Sequence, residues 1–283
     1  MTINDPWGLT GRSVVVMGAG GGGIGTAIAR HLGAAGASIV AVDIDAGKLA
    51  VCTDALAAEG IDHLGLLADG RDRDAVTDVV DQAARLAPLH GAVHVAGGMW
   101  PPQWAPFASD DPAFDDVMDL NFGATVNTVR AVGRRLVEEG RTGALVNIAT
   151  TSAINGMPFG SAYAAAKAAV LSLTRSLAVE WGPRGIRVNA VAPGSIATPK
   201  SASTRKPGDT DGDDVLVIPM RRRGTSDDIA RGVLFMISDM SAYVTGQLLC
   251  IDGGTSVRPT YNDRDELPVF VRNEELRARL SQW

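Results

Sequence analysis

The stretch Ser13-Val14-Val15-Val16-Met17-Gly18-Ala19-Gly20-Gly21-Gly22-Gly23-Ile24-Gly25 decides the fold. Its first five residues, rich in valine and without polar alternation, read as a strand buried on both faces. Glycines follow at once. They let the backbone approach a pyrophosphate closely, and a helix opening at Ile24 aims its N–H groups at that anion. Flexible turns use glycine too, so the context matters. Asp43 ends a second predicted strand, 18 residues past Gly25. Its carboxylate can accept both ribose hydroxyls of an adenosine and would repel a 2′-phosphate. The only Arg or Lys between Gly18 and Ile44 is Arg30, inside the predicted helix. NAD is therefore expected rather than NADP.

The same alternation runs on along the chain. Strand patterns occur at Ser13–Met17, Ser38–Val42, His63–Leu67, Ala92–Val95, Ala144–Ile148, Arg187–Val191 and Gln247–Ile251. Helical periodicity fills about 24–35, 46–58, 72–87, 113–139, 161–181 and 226–238. Right-handed βαβ units then give an α/β fold, a doubly wound parallel sheet of Rossmann type with helices on both faces. A single domain is expected over 9–254. Residues 199–220 are polar and long for a loop, which predicts a substrate lid. Residues 255–283 form a C-terminal extension with a short helix near Asn273–Leu280.

Composition narrows the function. A net charge of −6 and a pI near 5.2 disfavour nucleic acid as a partner. Two distant cysteines, Cys52 and Cys250, imply no disulfide framework. No signal-like opening and no long apolar run is present, so a soluble, cytoplasmic protein without membrane contact is expected. No metal site is expected.

Tyr163-Ala164-Ala165-Ala166-Lys167 carries the chemistry. A spacing of four puts phenol and ammonium on one helix face. An isolated pair of this kind is usually an ordinary solvated helix pair. Lysine is scarce here, however, with 4 against 22 arginines. A lysine charge roughly 4–5 Å away would lower the phenol pKa by about two units. Tyr163 would then be a usable acid and base.

Further pieces fall in order: Asp69 with Gly70, Ala96 with Gly97, Asn121, Arg187-Val188-Asn189 leading to Pro193-Gly194, Ile196, Thr198 and the closing Asp252-Gly253-Gly254. With the glycine loop, Asp43, Tyr163 and Lys167, they make the chain resemble a short-chain dehydrogenase/reductase of the small, single-domain type over about residues 9–254. The resemblance implies roles. Gly18, Gly22, Gly23 and Ile24 would hold the pyrophosphate, and Asp69 and Gly70 would flank the adenine. Ala96 and Gly97 would line the cofactor cleft. Tyr163 would be the general acid/base, and Lys167 would hold the nicotinamide ribose. Asn121 would fix a water that passes protons to Lys167. Pro193, Ile196 and Thr198 would position the nicotinamide. A homotetramer is implied, built by helices 113–139 and 161–181.

Three departures stand out. The glycine loop has one residue more than the family's usual pattern, which predicts a bulge within Gly20–Gly23. His94 replaces the first asparagine of the usual Asn-Asn-Ala-Gly and reads as structural. The catalytic serine is missing at its ungapped place, where Thr150 stands. Ser152 is the rival, or else a substrate contact. Trp100 and Trp104 after the fourth strand, with Met157 and Phe159 before the catalytic helix, could form an apolar substrate pocket. The reading is an NAD-dependent oxidoreductase that interconverts a secondary alcohol and a ketone. The alternative is a catalytically silent NAD-binding module that senses redox state.

Overall fold

The computed structural model describes residues 5–99, 113–199, 201, 215–258 and 274–280. Trp100, Trp104 and most of the predicted lid lie outside the described residues. Seven parallel strands form one sheet: β1 (Ser13–Met17), β2 (Ser38–Asp43), β3 (His63–Leu67), β4 (Leu89–His94), β5 (Gly143–Ile148), β6 (Ile186–Pro193) and β9 (Leu248–Ile251). Their order is β3-β2-β1-β4-β5-β6-β9. Between β6 and β9, two-residue strands β7 (Ile196–Ala197) and β8 (Gly224–Thr225) make a small parallel ribbon.

Helices cover both faces. On one side α1 (Ile24–Ala34), α2 (Ala46–Ala58) and α7 (Ser226–Ile237) pack on Val14, Val16, Ile39 and Val146. On the other, α3 (Arg73–Leu86), α5 (Ala124–Glu138) and α6 (Ser161–Trp181) pack on Val15, Val40, Leu145 and Val188. Alternate strand residues feed alternate faces, as the pleat requires. Each fully buried aliphatic side chain, such as Ile28 or Leu136, contributes about 1.5–3 kcal/mol. A last short helix, α8 (Glu274–Leu280), falls where the sequence placed one.

The helix read as continuous over 113–139 is not continuous. It begins as α4 (Ala113–Met118), widens into a π turn at Asp119–Gly123, and resumes as α5. β4 also starts earlier than the sequence suggested, at Leu89. His90 and Gly91 hide it from a β-branched reading. Gly91 faces the β5 backbone, where an added Cβ would lie 1.7 Å from Ala144 O.

Side chains cap three helices. Asp45 accepts from Lys48 N, Asp72 accepts from Asp74 N and Ala75 N, and Thr225 forms a capping box with Asp228. No side chain caps α1 at Gly23 or α6 at Gly160. Both of these helices begin just beyond the C-terminal ends of the strands. No helix among the described residues is long and apolar enough to cross a membrane.

Candidate active site

The C-terminal ends of β1, β2, β4, β5 and β6 gather the predicted residues along one edge of the sheet. Gly18 and Ala19 leave β1 with both N–H groups donating to Val42 O, at 2.8 and 2.9 Å. A Cβ on Gly18 would come within 2.5 Å of Ala96 N, so the loop after β4 lies directly against it. The extra glycine is absorbed at Gly21 and Gly22, two successive left-handed residues. Gly21 N donates to Lys48 O, and Gly22 N donates to Thr26 Oγ1. Ile24-Gly25 thereby keep register with the helix.

Asp43 is the last residue of β2. Gly20 N donates to its Oδ2 at 3.0 Å, and Asp45 N to its Oδ1 at 3.1 Å. Two backbone donors thus fix the carboxylate beside the glycine loop. This cradle fits a dinucleotide. The loop backbone is open on the side of an uncapped helix N-terminus, and an oriented carboxylate stands at the ribose end. Further along, Arg71 takes both Asp69 oxygens, with the closest contact at 2.7 Å, and the pair holds the Asp69 carboxyl below its usual range. Gly70 packs on Ala124 and Met17.

Beyond β4, Asn121 shapes the loop. It projects from the π turn and is wholly buried. Its Oδ1 accepts from Gly98 N and its Nδ2 donates to Gly98 O and Val117 O, all at 2.9 Å. Gly97 has a positive φ, and a Cβ there would lie 2.5 Å from Asn121 Oδ1 and 3.2 Å from Lys167 Nζ. Any larger residue would press between the asparagine and the lysine.

Thr150 and Tyr163 face each other at the end of β5, where the Thr150 hydroxyl stands close enough to the phenol to favour its ionised form. Thr150 Oγ1 also accepts from Ser152 N at 3.3 Å. Ser152 is half-buried one turn along. Lys167 is buried and donates from Nζ to Ile148 O at 2.9 Å. Burial pushes its pKa down to about 8. The sequence-based expectation for Tyr163 needs correcting here. Burial raises the phenol pKa, and the nearby Thr150 hydroxyl opposes that rise. Lys167 reaches to the β5 carbonyl rather than to the phenol's ring.

Pro193 ends β6 and is buried, and Ile196 lies in β7 against Gly224. Thr198 and Ser201 cap each other: Thr198 N donates to Ser201 Oγ, and Ser201 N to Thr198 Oγ1. Met157 packs on Gly160, ahead of α6. Phe159 is exposed and holds φ 57, a left-handed backbone that is strained for a bulky residue.

Beneath this site lies a buried polar row, of which the sequence marked only His94, as structural. His94 Nδ1 lies 2.9 Å from Thr128 Oγ1. The Thr128 hydroxyl spends its proton on Ala124 O, so Nδ1 is the donor and Nε2 an acceptor. Asn147, in register with His94 on β5, donates from Nδ2 to Thr174 Oγ1. His94 Nε2 and Asn147 Oδ1 are both buried without a partner among the described residues. No cluster of metal-ligating side chains occurs among the described residues.

Known proteins resemble this chain over most of its length. A family model described as Enoyl-(Acyl carrier protein) reductase, of the short-chain alcohol dehydrogenase type, matches residues 18–256. A galactitol 2-dehydrogenase (L-tagatose-forming) of Cereibacter sphaeroides is 36% identical over 251 residues, covering 88% of this chain and 96% of that protein. A 7α-hydroxysteroid dehydrogenase, solved with NADH and 7-oxo glycochenodeoxycholic acid, superposes with a TM-score of 0.81 at 31% identity, covering 90% of this chain and 98% of the other. A gluconate 5-dehydrogenase from Burkholderia cenocepacia, solved with NADP and tartrate, gives 0.80 at 29% identity, covering 89% and 98%.

Proposed function

The chain belongs to the short-chain dehydrogenase/reductase family, and we propose that it is an NAD-dependent enzyme that interconverts a secondary alcohol and a ketone. One observation carries this reading: the Thr150 hydroxyl stands next to the Tyr163 phenol, one helix turn from the buried ammonium of Lys167, at the cleft that Gly97 keeps open. Bound nicotinamide supplies the hydride donor or acceptor. In reduction Tyr163 donates its phenolic proton to the carbonyl oxygen, and in oxidation it accepts the hydroxyl proton. Burial keeps the phenol protonated near neutral pH, which suits the reductive direction. The Thr150 hydroxyl donates to the same substrate oxygen as charge builds on it. Lys167 has three donors and spends one on Ile148 O, which leaves others for a ribose hydroxyl. Asn121 acts by fixing the loop at Gly98 and the bend ahead of α5. The anchored Asp43 carboxylate supports NAD, because it would meet a ribose 2′ position with negative charge.

The test is nicotinamide absorbance with NAD and a panel of secondary alcohols. Tyr163→Phe should cost at least about 100-fold in rate. A variant that keeps more than about a tenth of the rate would contradict the assignment.

A homotetramer belongs to the same proposal. Asp115, Asp116 and Asp119 are exposed along α4 and the π turn, and Arg130 and Arg134 are exposed along α5. Antiparallel pairing of two copies would set acid against base at both ends. Light scattering on the protein and on an Arg130→Glu/Arg134→Glu double variant checks this, with the variant expected to fall to a smaller assembly.

A further inference from the structure

Exposed apolar side chains recur in the chain segments that leave or approach the sheet edge where Thr150 and Tyr163 lie. Half of the exposed large apolar side chains among the described residues lie in segments that follow β4, β5 or β9 or that lead into β8, so they are not spread evenly over the surface. Met99 follows β4. Ile154 and Phe159 lie between β5 and α6. Leu216, Val217 and Met220 come from the chain ahead of β8. This last group is tied to the same edge: Met220 N donates to Gly253 O at 3.1 Å, and Ile218 and Pro219 pack on Gly253 and Gly254. Those glycines follow Asp252, which lies against Gly194 just past β6.

Phe159 is the most telling member. It stands four residues before Tyr163, at 60% exposure, on a left-handed backbone. Burial does not account for a strained bulky residue that faces solvent. Strain of this kind collects where a side chain must be presented to a ligand.

Charge is sparse in the same segments. Among the described residues 97–99, 149–160, 193–199 and 215–220 there is no Asp, Glu, Lys or Arg. Asp252 spends its carboxylate on Gly254 N and Ser256 N, at 2.9 and 2.7 Å. A sugar acid would find no cation within those described segments, and of the arginines that follow, Arg221 donates to Leu216 O and Arg222 pairs with Asp228. A polyol would lose hydration from several hydroxyls against methyl and phenyl groups.

We propose that the substrate is a bulky apolar alcohol or ketone, a carbocycle of terpenoid or steroid size, and that Phe159 helps select it. This rests on the hydride-transfer reading above. The experiment compares kcat/KM with NAD for menthol, a hydroxysteroid, galactitol and gluconate. The better of the two apolar alcohols should lead both polyols by about 100-fold or more. Phe159→Ala should raise KM for that alcohol by about tenfold while kcat stays nearly constant, because the ring contributes to ground state and transition state alike. Turnover of galactitol or gluconate at an equal or better kcat/KM would overturn the apolar class and leave hydride transfer standing. If none of the four reacted, the hydride-transfer reading would be the one to fall. Calorimetric titration of the same compounds into NAD-loaded protein would then decide the class separately, and tighter binding of the polyols would overturn it.

Discussion

The Thr150 hydroxyl stands next to the Tyr163 phenol, and its Oγ1 accepts from the backbone N–H of Ser152. Thr150 is therefore the hub of the local hydroxyl contacts. Its β-branched side chain has restricted χ1 freedom, so its hydroxyl direction is largely set. Thr150→Ser should keep most activity. Thr150→Val, which retains shape and loses the hydroxyl, should lose about 100-fold in kcat. Ser152→Ala should change KM more than kcat. Steady-state kinetics on the three variants checks the assignment. A fully active Thr150→Val beside an inert Ser152→Ala would hand the role to Ser152.

Cofactor choice should follow Asp43. Gly20 N and Asp45 N fix its carboxylate, so it cannot easily turn away from a 2′-phosphate. Fluorescence titration should show NAD binding more tightly than NADP by tenfold or more, about 1.4 kcal/mol. Asp43→Ala should narrow that gap from both sides, losing the ribose contact and the repulsion together. Equal binding of the two cofactors by the unaltered protein would remove NAD from the proposal.

Much of this was legible in the sequence because local pattern and tertiary role coincide. The valine run of β1, the glycine loop and Asp43 at the end of β2 needed no knowledge of their neighbours. What escaped depends on contacts across the fold. The π turn at Asn121 leaves no periodic trace, because the apolar pattern on either side continues through it. The start of β4 is set by how closely Gly91 meets Ala144, not by β propensity. The phenol pKa was misjudged for a related reason. Spacing places Lys167 on the face of Tyr163, yet burial and the Ile148 carbonyl decide what the lysine does.

Lys167 gives an alkaline signature. Its folded pKa, about 8, lies below the ordinary 10.5 because burial disfavours the ammonium. Between those values the unfolded chain binds the proton that the folded chain has released, so stability rises with pH. The full depression corresponds to about 3 kcal/mol. Tyr163, whose pKa is raised, works the other way above about pH 10, where the unfolded phenol ionises first. The buried Cys52 thiol, pushed from 9 up to about 11, likewise lowers stability as pH rises past about 9, so the clean window is pH 8–9. Urea unfolding across it should show stability climbing in the unaltered protein and a flatter profile in Lys167→Met.

His94 gives the acid counterpart. It is buried between β4 and α5, and burial, aided by the nearby Lys167 charge, lowers its pKa to about 3 from the model-peptide 6.5. The ring is then neutral in the folded chain throughout the physiological range. Its Nδ1–H donates to Thr128, and protonating Nε2 would place a charge with no counterion among the described residues. The sign follows from where protons bind. Below pH 6.5 the unfolded histidine takes up a proton that the folded one refuses, so stability falls as pH drops from 6.5 towards 3. About 2 kcal/mol of that loss should be complete by pH 5. His94→Asn keeps a polar side chain on β4 and removes the titration. Its stability at neutral pH is not diagnostic, because asparagine and imidazole reach Thr128 and Asn147 differently. The diagnostic quantity is the difference between pH 7.5 and pH 5, measured by denaturant unfolding of both proteins. The unaltered protein should lose about 2 kcal/mol more over that interval than the variant. Parallel losses would mean that the ring is protonated or solvated in the native state, and that the Thr128–His94 contact does not hold it neutral.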